Sequence, residues 1–135
     1  MPNDNNIKVL IADDQHHCRV LMRSIVLPLN YTVVGEAENG EKALEMYIRE
    51  NPDLLLLDIE MPLKSGPEVL EEIQKMKSKT CIIMMTSVAD SEVVRKCLKL
   101  GAYNYILKST SIRETRQRIK ETYEKYQFFK LGNCD

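Results

Sequence analysis

The stretch Leu54-Leu55-Leu56-Leu57-Asp58-Ile59-Glu60-Met61-Pro62 sets four leucines in a row before a lone carboxylate. Four leucines on their own fit a buried helix as well as a buried strand. The run lies between Pro52 and the loop Pro62–Gly66, however, and that spacing is too short for a helix. It reads as a strand covered on both faces, the kind found in parallel sheets. Three other apolar runs end in the same way. Ile7–Ala12 leads into Asp13-Asp14, Cys81–Met85 into Thr86, and Tyr103–Leu107 into Lys108. In an open parallel sheet the carboxyl ends of the strands share one edge, where ligands bind. Asp13, Asp14, Asp58, Thr86 and Lys108 would meet there.

Helical patterns fill the intervals. Cys18, Leu21, Met22 and Ile25 recur at i, i+3, i+4 and i+7, and Pro28 stops that helix. Tyr31–Ala37 is rich in β-branched residues and predicts a second strand. Asn39 is suited to cap a helix over 40–50 that buries Ala43, Leu44, Tyr47 and Ile48, and Asn51-Pro52 breaks it. Ser65-Gly66-Pro67 opens a third helix, with Val69, Leu70, Ile73 and Met76 inward. Asp90 or Ser91 caps a fourth, which carries Val93, Val94, Cys97 and Leu98 to a left-handed stop at Gly101. Ser111 and Glu114 form an S-x-x-E capping box for the last, with Ile112, Thr115, Ile119, Tyr123 and Tyr126 inward. Five βα units predict an α/β, doubly wound, five-stranded parallel sheet with helices on both faces. The expected division is a flexible N-terminus at 1–6, one domain at 7–128 and a tail at 129–135.

Composition narrows the function. A chain of 135 residues with 44% hydrophobic content suits one globular domain. Nineteen basic and twenty acidic residues leave a net charge of −1, so no direct nucleic-acid partner is expected. No apolar run approaches the roughly 20 residues of a membrane span. The polar Met-Pro-Asn-Asp-Asn-Asn start suits neither a signal nor a transit peptide, so a cytoplasmic location is expected. The cysteines 18, 81, 97 and 134 form no C-x-x-C pair. The first three read as reduced core residues and Cys134 as exposed.

Crowded carboxylates raise one another's pKa unless a cation relieves them. Asp13, Asp14 and Asp58 therefore predict a hard divalent ion, for which Mg²⁺ is best suited. A carboxylate can also attack phosphorus to give an aspartyl phosphate. Asp58 is the natural nucleophile, with Lys108 a second positive partner and Thr86 a donor to a phosphoryl oxygen. His16-His17 reads as surface, because adjacent helical residues diverge and a hard ion prefers oxygen. The basic run Arg113, Arg116, Arg118 and Lys120 reads as a solvated face, with contact to an acidic partner as its alternative. Met84-Met85 reads as core.

In four motifs the chain resembles the receiver domain of bacterial response regulators, the CheY-like family. They are Val-Leu-Ile-Ala-Asp13-Asp14, Leu-Leu-Leu-Asp58-Ile-Glu-Met-Pro62, Met-Met-Thr86-Ser87 and Tyr105-Ile-Leu-Lys108, in order with receiver-like spacing over roughly residues 7–127. The resemblance implies a flavodoxin-like fold with strand order 2-1-3-4-5. It implies that Asp58 accepts a phosphoryl group from a sensor histidine kinase or phosphotransfer protein. Asp13, Asp14, Asp58 and the backbone carbonyl of Glu60 would hold Mg²⁺. Thr86 and Tyr105 would be the switch pair. The 91–128 face, α4-β5-α5 in that fold, would then bind a downstream protein of a chemotaxis or phosphorelay type. On this reading the protein is a phosphoacceptor that assists its own phosphorylation and dephosphorylation, not an enzyme, and a monomer or weak dimer.

Three positions depart from the family pattern. Ser109 stands where most receivers have a cis-proline, which predicts a trans peptide after Lys108 or a strained cis bond held by its surroundings. Glu60 and Val88 put an acidic and an apolar side chain near the phosphoryl site, where they would set phosphate lifetime. Tyr103 is expected on the same sheet face as Tyr105. The rival readings are a haloacid-dehalogenase-type phosphatase, suggested by Asp58-Ile-Glu60, and a degenerate receiver serving only as a docking module.

Overall fold

The computed structural model describes residues 6–89 and 91–132. Five strands and five helices alternate along it. They are β1 (Lys8–Ala12), α1 (His16–Val26), β2 (Thr32–Ala37), α2 (Gly40–Glu50), β3 (Leu54–Asp58), α3 (Gly66–Lys75), β4 (Cys81–Thr86), α4 (Glu92–Lys99), β5 (Asn104–Leu107) and α5 (Ile112–Tyr126). All pairings are parallel, in the order β2-β1-β3-β4-β5. This is the flavodoxin-like fold expected of the sequence, and no helix among the described residues is long and apolar enough to cross a membrane.

The leucine run is the centre of the molecule. Leu54, Leu55, Leu56 and Leu57 are all fully buried, each contributing about 2 kcal/mol of apolar burial. Period-two alternation divides them between two cores. Leu54 and Leu56 join Val9, Ile11, Ile83 and Ile106 beneath α1 and α5. Leu55 and Leu57 join Leu10, Ile82 and Met84 beneath α2, α3 and α4. A continuous leucine run therefore serves both layers, and no polar residue interrupts it before Asp58.

Local signals set the helix ends. The Asn39 side chain accepts from the Lys42 amide, Ser91 from Val94 and Ser111 from Glu114. The reciprocal capping box is at Ser65 and Glu68. Ser91 thus caps α4, and the alternative, Asp90, lies outside the described residues. Gly101 has φ +114°, as a left-handed stop requires. Among the described residues there is no cis peptide, so the bond after Lys108 is trans.

Some stripes are narrower than the sequence predicts. Ile48, Met76, Val93, Leu98 and Ile112 are exposed, at the margins of faces whose centres are buried. Leu21 is exposed and Cys18 half-buried, so Cys18 is not a core residue. The cysteines at 81 and 97 are core, and Cys134 lies outside the described residues. Tyr103 precedes β5 and packs on the α1/α5 side, edge-to-face with Tyr126, whereas Tyr105 packs on the opposite side. Alternation does not extend to Tyr103 because the strand begins one residue later. Beyond α5 the chain continues through a π-helical turn, Gln127–Gly132, with Phe128 and Phe129 exposed.

The basic run on α5 is partly committed. Arg118 pairs with Glu114 one turn back. The Arg116 Nε donates to the Ile25 carbonyl at 2.8 Å, and its Nη2 lies 3.4 Å from the Ser24 carbonyl. Pro28 has no N–H to offer Ser24, so Arg116 caps the end of α1. Arg116→Met is expected to cost about 1–2 kcal/mol, read as a lower urea midpoint with unchanged slope.

Candidate functional site

Parallel register brings the strand ends together. Ala12 pairs with Leu57, Asp58 with Met85, and Thr86 with Leu107. The last residues of β3 and β4, Asp58 and Thr86, and the residues just after β1 and β5, Asp13 and Lys108, therefore stand at one edge. Asp13 is fully buried, Asp58 is buried and Asp14 is exposed; one carboxylate oxygen from each lies within 4.8 Å of the others. Lys108 reaches in from beyond β5, its Nζ 2.9 Å from Asp13 Oδ2 and 3.0 Å from Asp58 Oδ1. A cleft of about 340 Å³ opens above, lined by Asp14, Asp58, Glu60, Thr86, Val88 and Lys108 among others. The sequence-predicted residues Asp13, Asp14, Asp58, Thr86 and Lys108 are thus brought to one place.

Burial pushes the Asp58 carboxyl up to about 6, and the Asp13 charge adds to it, against the pull of Lys108. Burial would lower the Lys108 ammonium, but its contacts with Asp13 and Asp58 more than offset that and leave it raised. The cluster is therefore short of positive charge. Asp13 Oδ1 accepts from the Gln15 amide at 2.9 Å. Asp13 Oδ2 is buried and, though Lys108 is close enough for an ion pair, no donor is aligned to give it a hydrogen bond. A buried carboxylate oxygen without an aligned hydrogen-bond donor, beside two more carboxylates, fits a hard divalent cation such as Mg²⁺.

The remaining residues hold this geometry or gate it. Gly66 packs so close to the Asp58 peptide that a Cβ there would collide with the Asp58 carbonyl oxygen, and its amide donates to the Ile59 carbonyl. Leu63 in the same loop has φ +71°. Thr86 is turned into its own loop, where the hydroxyl donates to the Val88 carbonyl and accepts from the Val88 amide, both at 3.1 Å. Tyr105 is half-buried against the α2–α4 layer. His16 and His17 are exposed. Sequence reasoning missed Arg19, whose Nη1 donates to the Asp13 carbonyl at 2.6 Å, because no local pattern marks it.

A doubly wound parallel sheet binds its ligands at the carboxyl ends of its strands, which is where this acidic cleft lies. The family model of the response regulator receiver domain matches residues 9–120, and the chain belongs to that family, the CheY-like receivers of two-component systems. It is 42% identical over 101 residues to a chemotaxis protein CheY of Halobacterium salinarum, covering 75% of this chain and 83% of the relative. It is 32% identical over 116 residues to the sporulation initiation phosphotransferase F of Bacillus subtilis, covering 86% and 93%. Among solved structures, the CheX–CheY–BeF3–Mg²⁺ complex from Borrelia burgdorferi matches with a TM-score of 0.80 at 27% identity. That match covers 87% of this chain and 89% of that one.

Proposed function

We propose that this protein is a cytoplasmic, Mg²⁺-dependent phosphoacceptor, loaded at Asp58 by a sensor histidine kinase or phosphotransfer protein and read by a downstream protein. The observation that carries this is the meeting of Asp13, Asp14, Asp58 and Lys108 around a buried Asp13 oxygen that has an ion pair but no aligned hydrogen-bond donor. The similar Borrelia structure is a complex that includes BeF3 and Mg²⁺, which supports the reading. Asp13, Asp14, Asp58 and the Glu60 carbonyl would hold the ion, which when bound neutralises charge on the transferred group. An Asp58 oxygen attacks phosphorus, forming an O–P bond as the bond to the donor breaks and its electrons leave with the donor. Lys108 holds Asp58 in place and offsets the added charge.

The loaded group brings nearly two negative charges and three strong acceptors. Thr86 can donate to them only by giving up its bond to the Val88 carbonyl. Release of that loop, the start of α4 and Tyr105 would alter the 91–128 face, by no more than the difference in interaction between the two arrangements. Incubation with a small acyl phosphate and Mg²⁺ tests the reading, with one acid-labile phosphate per chain expected. Turnover of generic phosphate esters would favour a phosphatase, and no uptake at all a docking module. Beryllofluoride-treated protein is expected to retain a partner that the untreated protein and Asp58→Asn do not.

Glu60 and Val88 are exposed at the cleft mouth. Glu60→Asn removes a charge that repels attacking hydroxide, and Val88→Glu replaces an apolar cover with a group that can hold water. Both are expected to shorten the half-life of the acyl phosphate severalfold, on the order of 1 kcal/mol of barrier each, followed by loss of phosphate after donor removal. Unchanged rates in both variants would remove these positions from control of lifetime.

A further inference from the structure

Asp13 and Asp14 stand side by side but are held very differently. The Asp13 amide donates to the Ala37 carbonyl, and its carboxylate accepts from Gln15 and faces Lys108. Asp14 is exposed, and among the described residues its carboxylate has no hydrogen-bond partner. Its direction depends on the peptide that joins it to Asp13. That peptide is planar, so fixing the Asp13 carbonyl fixes the plane from which Asp14 departs.

The Asp13 carbonyl is fixed by Arg19, through the 2.6 Å bond from Nη1. Arg19 is itself nearly enclosed, with 12% of its side chain exposed, and its Nε lies 3.7 Å from Glu36 Oε1. The other Glu36 oxygen takes the Arg23 Nε at 2.6 Å. Glu36 belongs to β2 and is paired in register with Ile11, so the sheet anchors the whole Arg19–Glu36–Arg23 group.

We propose that Arg19, held by Glu36, is a positioning residue for the divalent-cation site, aiming Asp14 through the 13–14 peptide. The proposal rests on the Mg²⁺ reading of the cleft. It assigns to Arg19 no contact with the ion or with the transferred group. Groups that orient a ligand from behind are worth about 10–100-fold in metal affinity. A planar guanidinium presents Nη1 to the carbonyl while its Nε faces Glu36, a fixed fork that the single nitrogen of a lysine ammonium does not reproduce.

Calorimetric titration with Mg²⁺ at neutral pH, beside urea denaturation in Mg²⁺-free buffer, tests it. Arg19→Met is expected to weaken Mg²⁺ binding by about tenfold, Arg19→Lys less, and Glu36→Gln in the same direction. A merely structural role would lower the urea midpoint and leave the affinity of the folded protein where it was. Should Arg19→Met not fold, Arg19→Lys and Glu36→Gln carry the test. Mg²⁺ affinities equal to wild type in the folded variants overturn the positioning role and leave the cleft reading standing. A wild-type protein that takes up no Mg²⁺ overturns both.

Discussion

Asp58→Asn takes up no phosphate from an acyl-phosphate donor and, without Mg²⁺, is more stable than the wild type at neutral pH. The first result follows because the amide is not a nucleophile, and among the described residues no other carboxylate combines the position of Asp58 with its contact to Lys108. The second follows from charge. Asp58 is buried at the sheet edge beside Asp13, and those two causes raise its carboxyl from 3.8 to about 6. The native state therefore holds that proton more tightly than the unfolded chain does. The stability it contributes is complete below about pH 4 and is lost as the pH rises through about 6.

At about 1.4 kcal/mol per pH unit the gap corresponds to roughly 3 kcal/mol, and screening by water in the open cleft reduces this to about 1–2 kcal/mol. Wild-type protein in a chelator should lose that much between about pH 4 and pH 6.5. The asparagine variant should be flat over the same window. Mg²⁺ should restore the wild type most where Asp58 is ionised, and the variant little. Urea midpoints across this range, with and without Mg²⁺, check all three. A wild-type curve that does not fall over the window would mean that Asp58 is not strained by its surroundings.

The sheet edge is legible in the sequence because burial on both faces leaves a parallel strand no polar residue until it ends. Asp13, Asp58, Thr86 and Lys108 can thus be placed from the runs that precede them. The two-layer division is legible from alternation, except at Tyr103, where a strand boundary one residue away reverses the expected face. Helix margins are less legible. A stripe drawn at 3.6 residues per turn does not say how wide the neighbouring layer is, so the pattern turns Ile48 and Met76 inward although both lie outside. Contacts between distant positions leave no local mark at all. Arg116 reaches the Ile25 carbonyl and that of Ser24, which Pro28 leaves without a donor, and Arg19 reaches a carbonyl six residues back. The hydroxyl of Thr86 is expected from the sequence to face the cleft, yet in this state it closes a turn with Val88.

Lys108→Met is expected to slow phosphorylation by a small donor by about 100- to 1,000-fold, the scale set by loss of one preorganised oxyanion donor. The lysine sits in the only arrangement that serves both buried acids among the described residues, at 2.9 Å from one and 3.0 Å from the other. Its raised pKa keeps it charged throughout the neutral range despite burial. Methionine keeps the stem's packing and removes the charge. Two consequences then run in opposite directions. Asp58 loses its lowering partner, so its ionisation moves to higher pH and the nucleophile is scarcer at neutrality. A divalent ion, by contrast, no longer meets a nearby ammonium and should bind at least as tightly as before. Slower phosphate uptake with undiminished Mg²⁺ affinity separates a role toward the transferred group from a general collapse of the cleft. Initial rates of acid-labile phosphate formation, read beside calorimetric Mg²⁺ affinity, decide it. Uptake at the wild-type rate would leave Lys108 as a structural counter-ion for Asp13 and nothing more.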